Sequence, residues 1–457
     1  MRIARALVLL GVMALVATTA NAANRRAAPG AAVRVLAMTQ PGDTVTLARG
    51  THRGTLLIRT RIVLRGEPGA VIQGSPTGDA LDVAAPGTVV EDLAVNGSGR
   101  DVMRVDSGVH VISCGDVILR RVRISGTLYG VYGERATRLL LEDCTLRGTV
   151  APLDESGTGN GIHLWNCDSV RVVHCDVTHF LDAVYLSFAN HAVIERSTFH
   201  DCGRYGFHTM YCQSGRLSGN RFMRNMAGCA IMFSNNLRIH GNDFVHNRGP
   251  RTYGLLLRDC SAGTFDENRL IDNTIAVFMD NSNRNGFRRN LVQDNGWGVL
   301  LFSSCANDTF AENNFIQNDY PVALDMRRTN NRFDDGTNGN YWSENAPYDL
   351  DGDDVSDVPY SPVSAFAFVS KQYPDLTILA HSPAVAALAV AERVFPALQP
   401  SEAVDHLPRV SPLPVVADSG PALPAQGHEP VWGAFGAFLG LGLLAAVGVI
   451  RGRGGLA

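Results

Sequence analysis

This chain of 457 residues predicts an all-β fold, a right-handed parallel β-helix with one coil for every 22 to 26 residues. Three observations predict it. Asn220, Asn242, Asn268, Asn290 and Asn314 recur at that interval. Asn225, Asn247, Asn273, Asn295 and Asn318 run parallel to them at constant phase. The residues between are short apolar runs of alternating character, broken by Asn, Gly and Asp, as in segments 166–188, 189–211 and 212–234. Such runs with period two are strands, and no segment supplies the roughly ten residues at helical period that a crossover helix needs.

In such a solenoid, residues one repeat apart lie above one another at the interstrand distance of ~4.8 Å, so each asparagine column becomes a ladder. Stacked amides donate to one neighbour and accept from the other. This satisfies turn groups that would otherwise be buried unpaired, at about 1 kcal/mol for each bond. These ten asparagines are therefore read as structural. Toward the N-terminus the first ladder continues as Cys144, Cys175 and Ser197, and the second as Cys202.

The position after each Gly or Ala forms an apolar column that must face inward: Val131, Ile162, Val184, Phe207, Ala230, Leu255, Val277, Val299 and Val322. Its neighbour points outward and reads Tyr132, His163, Tyr185, His208, Ile231, Leu256, Phe278 and Leu300. Trp165, Met210, Phe233 and Phe302 follow two residues further on. A contiguous apolar and aromatic strip of this length marks a docking surface for another protein, unless the C-terminal tail folds back over it.

Composition and the two ends set bounds. With 45% hydrophobic residues the chain can bury a large core, and its formal net charge of -4 argues against nucleic acid. Residues 1–22 read as an export signal: Arg2 and Arg5, an apolar run, then Ala20, Asn21 and Ala22 as a small-x-small cleavage site. The β-helix domain is expected over 31–340, an Asp-rich terminating loop over 341–362, a helical segment over 363–406 and a Pro-rich flexible linker over 407–430. Residues 431–450 are uncharged and as a helix would span ~30 Å. Arg451 and Arg453 follow, so the helix is expected to anchor the domain to the inner membrane from the periplasmic side. Nine cysteines leave at least one unpaired; Cys144 with Cys167 and Cys202 with Cys212 are conceivable bridges.

Two segments could carry chemistry. Asp349, Asp351, Asp353 and Asp357 take positions 1, 3, 5 and 9 of a run containing Gly352, the spacing of oxygen ligands around Ca²⁺. Tyr360 stands where a bidentate Glu would complete such a loop, and a turn of Asx hydrogen bonds is the competing reading. The second segment, 202–233, gathers His208, Met210, Cys212, Met226 and Cys229, soft ligands suited to transient Cu(I). His208 and Met210 share one strand face at i, i+2. Methionine and buried cysteine are also ordinary core fillers. Hydrolase or lyase chemistry would need paired carboxylates or a basic residue converging on an exposed groove, and the outward column offers none.

RYGFHTMYCQSGRLSGN (204–220), AIMFSNNLRIHGN (230–242), GNYWSENAPYDLDGDDVSDVPY (339–360) and HSPAVAALAVAERVFPALQP (381–400) resemble the NosD family of periplasmic β-helix accessory proteins. The resemblance covers most of residues 35–400 and implies a non-enzymatic role in maturing nitrous oxide reductase. It further implies an ABC transporter permease with its ATPase, a copper chaperone and the reductase as partners, with copper or sulfur for the reductase's copper-sulfide centre as cargo. A carbohydrate-binding or polysaccharide-modifying β-helix protein is the alternative, since aromatic side chains also stack on sugars.

Overall fold

The computed structural model describes residues 22–325, 328–372, 382–394 and 401–414, with 376 and 379. Residues 1–21 of the expected export signal and the whole of 431–450 lie outside the described residues. Among the described residues no helix is long and apolar enough to cross a membrane.

The chain winds as a right-handed parallel β-solenoid. Its coils stack into three parallel sheets of 13, 13 and 12 strands. The first sheet runs from Asn24–Ala27 to Thr309–Ala311, the second from Gly50–Arg53 to Tyr341–Trp342 and the third from Leu56–Ile58 to Tyr320–Leu324. Strand Asn24–Ala27 opens the solenoid ahead of the expected start at 31. Helix α1 (Ala32–Ala37) then buries Ala32 and Leu36 in the core at that end.

Each strand turns one or two side chains inward, and these stack in register. In the third sheet the inward column is Val131, Ile162, Val184, Phe207, Cys229, Leu255, Val277, Val299 and Val322. The second sheet stacks Phe199, Phe222 and Phe244 at 5.2 and 5.1 Å between ring centroids. Placing Ala230 in the inward column is corrected: Ala230 pairs with His208 and Leu256 on the outward side. Because strand faces alternate, that slip exchanges neighbours. Ile231 therefore points inward and is buried in the core. Gly206, Gly228 and Gly254 mark the true phase, since a Cβ at each would lie 2.7 Å from the backbone oxygen of the following coil.

Corners obey one rule. A residue with positive φ swings the chain, and the next residue points inward to satisfy the exposed backbone. At the corner between first and second sheets Arg196, Gly219, Gly241, Glu267, Arg289 and Glu312 have φ of 46–62°, ahead of Ser197, Asn220, Asn242, Asn268, Asn290 and Asn313. For the non-glycine residues this conformation costs ~1–2 kcal/mol each, which the ladder bonds that follow help to offset. Asn242 Nδ2 donates to Asn268 Oδ1 at 3.1 Å, and Asn268 Nδ2 to Asn290 Oδ1 at 3.0 Å. The ladder then passes to Asn313 and Asn340 rather than to Asn314. Asn314 instead exchanges two bonds with the backbone of Leu413. The second column stands at the corner between second and third sheets and runs from Asn225 through Asn247, Asn273 and Asn295 to Asn318.

A column not foreseen occupies the corner after the third sheet. Cys212 N–H donates to Ser234 Oγ at 3.0 Å and Cys260 N–H to Ser282 Oγ at 3.3 Å. Cys167 stands at the same corner, following Asn166 at φ 53°. All nine cysteines are free and buried. The two conceivable disulfides are therefore corrected, because Cys144 and Cys202 occupy the other two corners of the coil.

In that region Asp308 stands where a ladder amide would serve better. Its Oδ1 accepts from Asn285 N and Nδ2 at 2.8 and 2.9 Å, while Oδ2 is buried without a partner. Burial pushes its carboxyl up to about 7. A folded-state value above the unfolded one means stability present in acid and lost as pH rises through 7. Asp308→Asn, whose Nδ2 can donate to Asn331 Oδ1, is expected to raise stability on the order of 3 kcal/mol at pH 8 and little at pH 4. Urea midpoints at the two pH values check this, and an equal gain at both contradicts it.

The C-terminal end is closed rather than open. Asn340 N and Trp342 Nε1 both donate to Asp405 Oδ2 at 2.8 Å, and Arg409 N donates to Asn340 O at 2.9 Å. Residues 401–414 thus dock on the final coil, which corrects the expectation of a flexible linker from 407 and of helix through 406. Helices α2 (Ala365–Gln372) and α3 (Pro383–Val394) bring Phe366, Val385 and Leu388 against Trp297 and Tyr320. The tail does fold back, over Trp297 in the last coil of the expected strip and Tyr320 in the coil beyond it.

Candidate functional site

The outward face of the third sheet carries a column that reads Asp82, His110, Tyr132, His163, Tyr185, His208, Ala230, Leu256, Phe278 and Leu300. Its first half alternates imidazole and phenol. Ring centroids are 5.0 Å apart for His110 and Tyr132, 5.2 Å for Tyr132 and His163, and 4.7 Å for each of the next two pairs. One ring per coil at the interstrand spacing brings neighbours to contact, mostly tilted or edge to face, which suits their quadrupoles.

Three outward residues on the same strands or just ahead of them hold the histidines. Asp79 Oδ2 accepts from His110 Nδ1 at 3.1 Å, Asn160 Nδ2 donates to His163 Nδ1 at 3.2 Å, and Asp182 Oδ2 accepts from His208 Nδ1 at 3.0 Å. These partners assign the tautomers. An ionised carboxylate only accepts, so His110 and His208, when neutral, carry the proton on Nδ1 and a lone pair on Nε2. The amide of Asn160 donates, so the proton of His163 lies on Nε2. Burial holds His163 near 4, hence neutral. The Nε2 atoms of His110 and His208 are buried without a partner. Both are ready to accept a proton donor or a cation.

Asp182 is completely buried and does more than hold His208. It receives Arg204 Nε and Nη2 at 2.9 and 2.7 Å and the Tyr205 N–H at 3.2 Å. Burial would push its carboxyl up, but the bonds from His208 and Arg204 outweigh burial and keep it below the usual range. Arg204 also lies 4.8 Å over the Tyr205 ring, and Tyr205 packs at 5.0 Å against His208. Tyr185, stacked on His208, donates its hydroxyl to Met210 Sδ at 3.5 Å. His208 and Met210 are thus joined through one phenol on one face.

The remaining expected soft ligands do not join them. Cys229 points into the core, and Cys212 is buried in the corner column with its thiol pushed up to about 11 by burial. A protonated, inward thiol cannot reach an outward ion. Met226 precedes its strand and is half-buried, while Met232 pairs with Met210 on the outward side.

The docking strip is altered in the same way. His208, Ile231 and Leu256 are buried, and Tyr132, His163, Tyr185, Met210, Phe278, Leu300 and Phe302 are half-buried against neighbours. Aromatic exposure concentrates along the third corner, where Phe188, Tyr211 and Phe233 stack at 5.0 Å beside Trp165.

In the terminating loop, Asp349, Asp351 and Asp353 lie within 4.8 Å of one another. Asp349 accepts the Gly352 and Asp354 N–H groups, Asp353 that of Val355, and Asp357 that of Leu350. These are Asx-type turn bonds. They engage Asp349, Asp353 and Asp357, as the competing turn reading expects.

The expectation that no paired carboxylates face outward is corrected, since Asp79 and Asp82 stand together beside His110. Extending the outward column two coils before Tyr132 would have reached His110 and Asp82. The irregular lengths of the coils around 97–106 and 148–161 hid that phase.

Fold and site together define a parallel β-solenoid whose coils present fixed imidazoles on one face. Residues 148–346 match the model of the NosD family, described as periplasmic copper-binding protein. A Stutzerimonas stutzeri protein named probable ABC transporter binding protein NosD is 27% identical over 380 residues, 79% of this chain and 85% of that one. Its namesake from Pseudomonas aeruginosa is 28% identical over 400 residues, 84% and 89% of the two chains. Among solved structures, a family 28 exopolygalacturonase of Yersinia enterocolitica aligns at 9% identity with a TM-score of 0.46, over 67% of this chain and 77% of that one.

Proposed function

We propose that this protein is a non-enzymatic periplasmic factor that handles copper for assembly of the copper-sulfide centre of nitrous oxide reductase, working beside an ABC transporter. The observation that carries the reading is the outward pair His208 and Met210, the first with a buried, unpartnered Nε2 and the second bonded through Tyr185. Imidazole nitrogen and thioether sulfur are ligands for Cu(I), and two of them leave coordination open for transfer. The exposed Trp165, Phe188 and Tyr211, with the half-buried Phe233 stacked beside them, are the proposed contact for a client or transporter subunit. The C-terminal helix expected over 431–450 would tether the domain to the inner membrane.

An acidic polysaccharide fits this face less well. Its carboxylates would meet Asp79, Asp82 and Asp182, and Arg204 is already committed to Asp182.

The test is competition for Cu(I) against a chromophoric chelator. The wild-type chain is expected to hold one Cu(I), and His208→Ala with Met210→Ala to weaken it by roughly 100-fold. Equal retention by the double variant removes this site from the mechanism.

A further inference from the structure

We propose that Asp79, Asp82 and His110 form a second metal site, distinct from His208 and Met210, that takes a divalent first-row cation of the zinc class. One ligand atom from each residue lies within 4.8 Å of the other two. Asp79 is fixed in place, with Oδ1 accepting from Ser107 N and Oγ at 2.6 and 2.7 Å and Oδ2 from His110 Nδ1 at 3.1 Å. This is the arrangement in which a carboxylate orients an imidazole and directs its other nitrogen to a metal. That nitrogen, His110 Nε2, is buried without a partner, and so is Asp82 Oδ1. Two sequestered acceptors side by side are costly unless something positive lies between them.

Charge points the same way. Asp79 and Asp82 bring two carboxylates together beside His110, and like charges so placed repel unless a proton or a cation lies between them. Arg104, which approaches from the adjoining loop, is committed to Asp101 and Asp106, each at 3.2 Å. The donors are an Asp82 oxygen and His110 Nε2, with Asp79 held behind the imidazole and no sulfur among them. Hard oxygen and imidazole nitrogen suit Zn²⁺ and leave positions open for water, whereas Cu(I) prefers softer ligands. His110 stands four coils from His208, ~19 Å along the stack, so one ion cannot serve both. The proposal does not depend on the copper reading.

The full-length protein, stripped of metal, is titrated with Zn²⁺ by calorimetry beside Asp82→Asn, His110→Gln and the His208→Ala with Met210→Ala variant. The wild type and the double variant are expected to take one equivalent at this site. Asp82→Asn and His110→Gln are expected to bind it at least about 100-fold more weakly. Without zinc, Asp82→Asn should melt no lower than wild type, because the substitution removes a like-charge contact. Absence of zinc uptake by the wild type, uptake that both single variants retain, or uptake lost only in the double variant would each overturn the proposal. Co²⁺ in place of Zn²⁺ gives a check on the wild type alone. A d–d spectrum without thiolate charge transfer supports the oxygen and nitrogen set, and a thiolate band overturns it.

Discussion

Asp182→Asn is expected to weaken Cu(I) capture at His208 while leaving the fold intact, although Asp182 is not itself a ligand. The chain already contains the comparison. His163 faces an amide, Asn160, and His208 a carboxylate. Placing an amide at 182 allows Nδ2 to donate to His208 Nδ1, which moves the ring proton to Nε2 and removes the lone pair aimed outward. Copper affinity should fall by roughly 10- to 100-fold, the effect of losing a partner that orients a ligand. Two-dimensional ¹⁵N spectra of the imidazoles read the tautomer directly. A variant whose His208 keeps the proton on Nδ1, or that binds copper as wild type does, contradicts the assignment. Asp182→Ala goes further, because it leaves Arg204 and His208 without their shared anion. It is expected to cost about 3 kcal/mol, the low end for breaking a buried pair, since Arg204 keeps some contact with water.

The largest loss of stability is expected in the middle of the asparagine ladders. Asn268 accepts from Asn242 N and Nδ2 and donates to Ile239 O and to Asn290 Oδ1, all between 2.8 and 3.1 Å. Asn268→Ala leaves the Asn242 N–H and the Ile239 carbonyl with no water to replace the lost partner. At about 1–3 kcal/mol for each orphaned group, the cost is about 4 kcal/mol. Asn313→Ala should be comparable, and Asn314→Ala should be milder, freeing mainly the 401–414 segment through its bonds to Leu413. Urea unfolding of the three variants decides between the two registers. Because each coil touches only its neighbours, the Asn314 variant should show early proteolysis after 400 with the main transition little changed. A loss at Asn314 as large as at Asn313 contradicts the register described above.

The coil period was legible because a ladder amide must lie above its counterpart, and no spacing other than one coil achieves that. Where a coil held two adjacent candidates, as at Asn313 and Asn314, spacing alone could not choose. Positive φ at Glu312 chooses, and sequence does not display it. The slip at Ala230 has the same origin. Ala227, Gly228, Cys229 and Ala230 are all small, so each can fill the position that Gly206 and Gly254 mark in neighbouring coils. One step of error then placed Ile231 outside, the reverse of its true side. The soft-ligand group suffered most from this. Only His208 and Met210 face outward together, because cysteine was recruited to corners as a small hydrophobe that also accepts a backbone N–H.

The partners that fix the imidazoles were not legible at all. Asp79, Asn160 and Asp182 each lie three residues ahead of an outward column position, but Asp79 and Asp182 serve the histidine of the following coil, a relation that appears only once the register of the third sheet is known. Short-range pattern could not reveal them, since Asp and Asn are also the residues of every turn in this chain.

The central claim is that this chain serves the copper-sulfide centre of nitrous oxide reductase through the His208 face. It is tested most directly by isolating the reductase from cells that lack this gene and from cells complemented with the His208→Ala, Met210→Ala variant. Copper content and the absorption of the centre are then compared with wild type. The account predicts reductase deficient in that centre in both strains. A full copper complement and an intact spectrum in the deletion strain would contradict it.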